Sequence, residues 1–457
     1  MKKTVKNLFG TDGIRGVANR YPMDCETALK TGRAVASFYK NEVKNDACRF
    51  VVGQDTRISG DMIVSAITAG ICSMGISVDV AGVVPTPGIA YLTAAGSYTA
   101  GIMISASHNP FYDNGIKLFN ADGYKLSDDQ EEKIETFVHN DESVYKQCEN
   151  IDRVGTVRFL GHAGEQYRAH LKEVFEPCGK LSGIKIVLDC SNGAASYIAP
   201  DLFTELGATV HGIFCAPNGT NINDHCGSQH TETLSKAVAE KAADAGLAFD
   251  GDADRLIAVD EKGLPLTGDQ VLAICAKHMK DTGQLENPVV VTTVMSNLGL
   301  GAALEKMGIR HITANVGDRY VMQEMVKSQA ILGGEDSGHM IFLNDHTTGD
   351  GMLAGLKLLD AIKASGKALS KLSQVMTVYP QCLINVEVQS KPDLETVDGI
   401  VRTIAYVEER LGKNGRVLVR YSGTQPQCRV MVEGPTKKET QAYCGQIAIA
   451  VKEALGK

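Results

Sequence analysis

A strand, a helix closed by glycine and a second strand recur three times along this chain, and that recurrence limits the fold more than any other feature. Phe50-Val51-Val52-Gly53 reads as a strand, and the helical segment behind it ends at Gly75 before Ile76 to Val80. Ile184 to Asp189 reads the same way, with a helix ending at Gly207 before Ala208-Thr209-Val210. Val289 to Thr292 is the third case, with Gly308 before Ile309 to Ile312. Each glycine stands where a helix C′ residue takes a left-handed backbone. Such β-α-β units build parallel or mixed sheets with helices on their faces. Spaced roughly a hundred residues apart, they predict three related α/β domains rather than a short-period solenoid.

The last part reads differently. Leu383 to Val388, Arg416 to Arg420 and Arg429 to Glu433 have strand character, and Lys437 to Leu455 has helix character. Gln389 to Gly399 is polar, contains Pro392 and reads as a loop leading into a helix. The expected division is 1–160, 161–262, 263–378 and 379–457: three related α/β mixed-sheet domains plus a smaller C-terminal α+β domain around a central cleft. With 457 residues, 44% of them hydrophobic, each part can bury a core.

The formal net charge of -8 argues against a general binder of nucleic acid or anionic membranes, which is normally basic. It leaves room for a small anionic substrate gripped by a few local arginines. The 12 cysteines form no C-x-x-C pair, so free thiols in a reducing compartment are expected. Met1-Lys-Lys-Thr-Val-Lys6 has no apolar run behind it, and no segment is apolar enough to span a bilayer. A cytoplasmic protein is expected, without nucleic-acid or membrane partners.

Four short stretches carry chemistry. In Gly101-Ile-Met-Ile-Ser-Ala-Ser107-His108-Asn109-Pro110 an apolar run ends in small polar residues, and Asn-Pro turns the chain. That predicts a hydroxyl on an exposed loop beside an imidazole, suited to nucleophilic or phosphate-carrying work. A capping serine in a surface turn is the competing reading. Asp113-Asn114-Gly115-Ile-Lys117 reads as another turn, presenting an ammonium.

In Asp250-Gly-Asp252-Ala-Asp254-Arg255, short apolar runs flank an acidic tip, as in a loop between strands. Alternate carboxylates turned to one point suit a hard cation such as Mg²⁺. An EF-hand is excluded, because Arg255 stands where that loop needs glycine and strand-like Leu256 to Val259 runs through it. Gly333-Gly334-Glu335-Asp336-Ser337-Gly338-His339 offers carboxylate, hydroxyl and imidazole, which suit sugar hydroxyls better than phosphate. Arg420-Tyr421-Ser422-Gly423-Thr424-Gln425-Pro426, followed by Arg429, offers guanidinium and backbone N–H groups to a phosphate. No P-loop motif occurs.

Together with Phe9-Gly-Thr-Asp-Gly-Ile-Arg15-Gly16, these loops stand in the order found in the α-D-phosphohexomutase superfamily, which the chain resembles over essentially its whole length. The opening motif, Pro380 to Val386 and the Ser-Gly-His end of the third loop are most similar to the glucosamine branch. The resemblance implies that phosphorylated Ser107 exchanges its phosphoryl group with a phosphosugar through a bisphosphorylated hexose. This would interconvert glucosamine 6-phosphate and glucosamine 1-phosphate for UDP-N-acetylglucosamine synthesis. Glucose and mannose phosphates are the alternative substrates, and a non-catalytic sugar-phosphate sensor on the same fold is the distant alternative.

It also implies that Asp250, Asp252 and Asp254, with Ser107, hold one Mg²⁺. Arg255, Glu335 and Ser337 would meet the sugar. Arg420, Ser422, Gly423, Thr424 and Arg429 would hold the non-reacting phosphate. Arg15, His108, Lys117 and His339 would serve phosphoryl or proton transfer, with Lys117 and His339 both open as the base. A kinase or autophosphorylation would charge Ser107, and the protein would be a monomer or homodimer. Three residues depart from the pattern: Asp336 in place of Gln, Gln425 in place of Glu, and Tyr421 in place of Pro. Were residues 335–337 extended, Asp336 would point away from Glu335 and Ser337.

Overall fold

A computed structural model describes residues 8–10, 12–42, 48–140, 144, 146, 153–422 and 426–456. The chain forms two compact units, residues 1–294 with 309–373, and residues 295–308 with 374–457. No helix among the described residues is long and apolar enough to cross a membrane.

The first unit holds three sheets. The first contains β1 (Ile14–Val17), β2 (Arg49–Gln54), β3 (Ser77–Val83), β4 (Ala100–Ile104), β5 (Asp113–Asn120) and β6 (Val157–Phe159), in the order β1-β5-β4-β2-β3-β6. The second contains β7 (Lys185–Asp189), β8 (Thr209–Ile213), β9 (Ala245–Phe249) and β10 (Leu256–Asp260), in the order β10-β9-β7-β8. The third contains β11 (Val289–Thr293), β12 (Arg310–Ala314), β13 (Leu332–Gly334) and β14 (Met340–Phe342), in the order β12-β11-β13-β14.

One plan runs through all three. Two parallel strands are joined by a crossover, a third parallel strand adds beside the first, and a final antiparallel strand closes a hairpin with the third. The repeats read from sequence are the opening pairs β2–β3, β7–β8 and β11–β12. Gly75, Gly207 and Gly308 have φ of +79°, +98° and +64°, as helix-ending residues require.

Helices cover both faces of the first sheet, which explains its nearly unbroken apolar strands. Phe50 and Val52 point into one buried cluster with residues of the helices Cys25–Glu42 and Gly60–Ser73. Val51 points into another with residues of the helix Thr86–Ala95.

The second unit contains an antiparallel sheet of β15 (Gln381–Glu387), β16 (Arg416–Tyr421) and β17 (Gln427–Glu433), in the order β15-β17-β16. Cys428, Val430 and Val432 alternate into a core with residues of the helices Asp398–Leu411 and Lys437–Leu455. The helix Leu298–Lys306 groups with this unit, where Glu433 binds the backbone N–H of Leu298 and the side chain of Asn297.

Candidate active site

The Ser107, Asp250 and Glu335 stretches occupy the same place in the three sheets: each follows the third parallel strand and precedes the antiparallel one. Their side chains therefore project from the carboxyl ends of parallel strands, where open α/β sheets bind ligands.

The turn after β4 buries Ser107 completely, contrary to the exposed loop expected from its polar flanks. Its backbone is left-handed, with φ of +52°. Ser107 Oγ donates to Asp250 Oδ2 at 2.5 Å. His108 Nδ1 is 3.4 Å from that Oγ and receives Arg255 Nη1 at 3.1 Å. A guanidinium can only donate, so Nδ1 is an acceptor here. Burial, then the charges of Arg255 and Arg15, push His108 down to about 4.

Asp250, Asp252 and Asp254 lie between β9 and β10 and are buried, each offering a carboxylate oxygen within 4.8 Å of the others. Burial, Asp254 and Asp252 push the Asp250 carboxyl well above the usual range. Lys117 opposes this charge. It lies within β5 rather than on the expected turn, and it is buried. Its Nζ lies 2.8 Å from Asp252 Oδ2, 3.2 Å from Asp254 Oδ2 and 3.4 Å from Asp12 Oδ2. Burial favours a neutral amine, but the three carboxylates outweigh it and hold the ammonium well above its ordinary value. Arg255 Nε adds a second cation, 3.9 Å from Asp250 Oδ2 and 3.8 Å from Asp254 Oδ1.

These partners leave oxygens for a metal. Asp252 Oδ2 is taken by Thr86 and Lys117, and Asp254 Oδ2 by Lys117. Asp252 Oδ1 and Asp254 Oδ1 are buried without a hydrogen-bond partner among the described residues. Buried carboxylate oxygens without donors are costly. The set therefore fits a hard cation, with Lys117 and Thr86 as orienting neighbours.

His339, also buried, accepts Gly349 N–H on Nε2 at 3.2 Å, and its Nδ1 is 3.8 Å from Asp254 Oδ2. Burial disfavours its imidazolium, while Asp254 and Asp318 outweigh that and raise its pKa. Arg15 pairs with Asp12.

Residues 335–338 form a turn, closed by Gly338 N–H to Glu335 O at 3.0 Å, not the extended stretch on which the alternation depended. Glu335 Oε1 accepts Gly317 N–H at 3.1 Å, while Ser337 Oγ is buried without a partner among the described residues. Asp336 Oδ1 faces the backbone N–H of Asp269 at 3.4 Å, at the start of the helix Gly268–Asp281.

In the second unit Arg420 and Arg429 are register partners on β16 and β17, on the face opposite the helices. Burial, then the neighbouring Arg429 charge, lower the Arg420 pKa. Ser422 is buried, and Lys391 Nζ donates to its carbonyl at 2.5 Å. Gly423 and Thr424 lie outside the described residues.

Sequence reasoning assigned nothing to Asp12, Lys125 and Asp318. Lys125 Nζ bonds both Asp12 and Asp318, and Asp318 Oδ2 lies 3.6 Å from His339 Nε2. Asp12 sits inside the opening glycine motif, which was its one available signal. Lys125 and Asp318 had none, being brought together only by folding.

Residues 6–145, 165–263 and 267–379 match phosphoglucomutase/phosphomannomutase alpha/beta/alpha domains I, II and III, and residues 383–450 match the C-terminal domain of the same family. The phosphoglucosamine mutases of Syntrophus aciditrophicus and Syntrophobacter fumaroxidans are each 54% identical over 449 residues, 98% of this chain and 99% of theirs. A phosphoglucomutase/phosphomannomutase family protein of Burkholderia thailandensis superposes with a TM-score of 0.81 at 23% identity, covering 98% of this chain and 97% of that one. An Aspergillus fumigatus N-acetylphosphoglucosamine mutase, solved with GlcNAc-6P and magnesium, superposes with a TM-score of 0.72 at 18% identity, covering 98% and 96%. These two structures share the fold.

Proposed function

We infer the reaction from one premise: this chain belongs to the phosphoglucomutase/phosphomannomutase family. It interconverts glucosamine 6-phosphate and glucosamine 1-phosphate through a phosphoserine at Ser107. One observation carries the reading. Ser107 Oγ lies 2.5 Å from Asp250 within a buried group of three carboxylates, flanked by Lys117 and Arg255. The preference for glucosamine rests on the full-length relatives that bear that name.

Arg420, Ser422, Gly423, Thr424 and Arg429 grip the phosphate that does not react, and Glu335 and Ser337 receive sugar hydroxyls. The bond between phosphorus and Ser107 Oγ breaks as a bond to the free sugar hydroxyl forms, giving a bisphosphate. Lys117 is held as an ammonium and has no lone pair to receive the hydroxyl proton, so His339 takes it. The bisphosphate turns over, and its other phosphate returns to Ser107. Arg15, Lys117 and Arg255 balance charge on the transferring oxygens, and His108 helps orient the group. Asp250, Asp252 and Asp254, with Ser107, hold a magnesium ion, which supplies further neutralisation of phosphoryl charge when bound. The protein acts in the cytoplasm as a monomer or homodimer. Ser107 is charged by a kinase, by autophosphorylation or from a bisphosphorylated hexose.

The test offers purified protein glucosamine, glucose and mannose 6-phosphates with Mg²⁺ and a bisphosphate activator. The highest kcat/KM is expected with glucosamine 6-phosphate, and the product is the 1-phosphate. Preference for glucose or mannose would assign a sister activity. Release of inorganic phosphate in place of isomer would refute a mutase.

A further inference from the structure

Ser107 is held in place by residues outside the reacting cluster. Just beyond β2, Arg57 has a side chain with no solvent exposure. Its Nε donates to Asp55 Oδ2 at 2.9 Å. Its Nη2 donates to the carbonyls of Ser107 and Asn109, both at 2.8 Å. Its Nη1 donates to the carbonyl of Asp113 at 3.1 Å and to that of Pro110. All the N–H donors of a guanidinium are thereby used, four of them on the stretch from Ser107 to Asp113, the first residue of β5.

Asp55 completes the frame. It accepts Ser105 Oγ at 2.6 Å, and Ser105 Oγ in turn accepts the backbone N–H of Ser107 at 2.9 Å. Both backbone polar groups of Ser107 are therefore tied to one ion pair. Asn223 Nδ2 adds a second donor to Ser107 O, at 2.9 Å. The frame matters because Ser107 has φ of +52°, in a region that residues with a Cβ rarely occupy. Such a conformation persists only where the surroundings over-determine it.

We propose that Arg57, framed by Asp55 and Ser105, is a positioning residue for phosphoryl transfer, holding Ser107 in the left-handed backbone that aims its Oγ at Asp250. The proposal rests on the phosphoserine reading above. That chemistry uses one oxygen as both donor and acceptor, so the oxygen must return to the same point in both halves of the reaction. A serine free to relax to an ordinary backbone would swing Oγ off line, and small misplacements of a reacting group are costly. A lysine at position 57 cannot reproduce the frame. Its three donors sit on one atom and cannot span the carbonyls of residues 107, 109, 110 and 113.

The experiment compares wild type, Arg57→Lys and Ser105→Ala, each phosphorylated with ³²P at Ser107. It measures transfer of label to glucosamine 6-phosphate in a single turnover, KM, the fraction of label lost to water, and thermal unfolding. For Arg57→Lys, transfer is expected to slow about a hundredfold with KM changed less than about threefold, the scale for a displaced reacting group. The fraction lost to water should rise, which a general loss of folded protein does not produce. Ser105→Ala removes one hydroxyl and decides the matter should Arg57→Lys fail to fold; its transfer is expected to slow about tenfold at unchanged KM. Transfer within about twofold of wild type in folded Ser105→Ala and Arg57→Lys overturns the proposal. A fall in transfer that only tracks the folded fraction, with an unchanged share lost to water, overturns it as well. Wild-type protein that never passes label from Ser107 to sugar refutes the phosphoserine reading itself, separately from the variants.

Discussion

Replacing Lys117 by methionine removes the ammonium that sits among three carboxylates while keeping an unbranched side chain in its buried slot. At an effective dielectric of about 20, attraction to Asp252 Oδ2 across 2.8 Å is worth about 6 kcal/mol, and to Asp254 Oδ2 across 3.2 Å about 5 kcal/mol. Removing the lysine also recovers its own desolvation cost, so the net loss is far smaller than that sum. For a buried pair stripped of one partner it is about 3–5 kcal/mol. The same change should tighten cation binding, because the carboxylates lose their internal counter-charge. Two opposite responses are therefore expected. In chelator, urea denaturation of Lys117→Met should show a loss of about 3–5 kcal/mol. By calorimetric titration, Mg²⁺ should bind at least about tenfold more tightly than in wild type, and saturating Mg²⁺ should recover much of the stability. Turnover should fall in either condition. A loss below about 1 kcal/mol in chelator, with unchanged Mg²⁺ affinity, would refute the view that Lys117 neutralises the cation site.

Three further outcomes follow from the same geometry. Asp252→Asn should weaken Mg²⁺ binding and slow turnover, because a hard anionic ligand is lost; full wild-type activity in excess chelator would remove the metal from the account. Asp336→Gln should leave the kcat/KM ratio for glucosamine and glucose phosphates unchanged, since Asp336 faces a helix N-terminus, whereas Glu335→Gln and Ser337→Ala should each lose about 1–3 kcal/mol of transition-state stabilisation. Asp189 is raised to about 6 by burial, against hydrogen bonds from Gly227 and Ser191 N–H groups, so its contribution to stability is full below about pH 4 and declines as pH rises through about 6. Urea melts from pH 4 to 8 should show a downward contribution of order 3 kcal/mol that Asp189→Asn lacks.

The three-fold repeat was legible because its markers are local: an apolar strand, a helical segment and a glycine whose φ is positive in every copy. The acidic hairpin was legible because Asp250, Asp252 and Asp254 are close in sequence and flanked by strands that pair directly. What local pattern could not convey was burial. Ser107 stands among small polar residues and Lys117 follows an Asp-Asn-Gly turn signal, yet folding buries both, because carboxylates from the second sheet close over the first. The turn at residues 335–338 was missed because Gly338, at φ of +92°, redirects a stretch whose other residues tolerate extension. Gly338 is also forced by space, since a Cβ there would lie 2.3 Å from the Leu256 carbonyl. Lys125 joins Asp12 to Asp318 across the first and third repeats, a separation that no sequence spacing signals.

Phosphorus is expected to pass through Ser107, and following that phosphorus is the most direct test. Protein carrying ³²P on Ser107 is mixed with unlabelled glucosamine 6-phosphate and quenched within one turnover. Label should leave Ser107, enter a sugar bisphosphate and reach glucosamine 1-phosphate at a rate no slower than kcat, while Ser107→Ala takes up no label and shows no turnover. Label that stays on Ser107 through many turnovers would contradict the account.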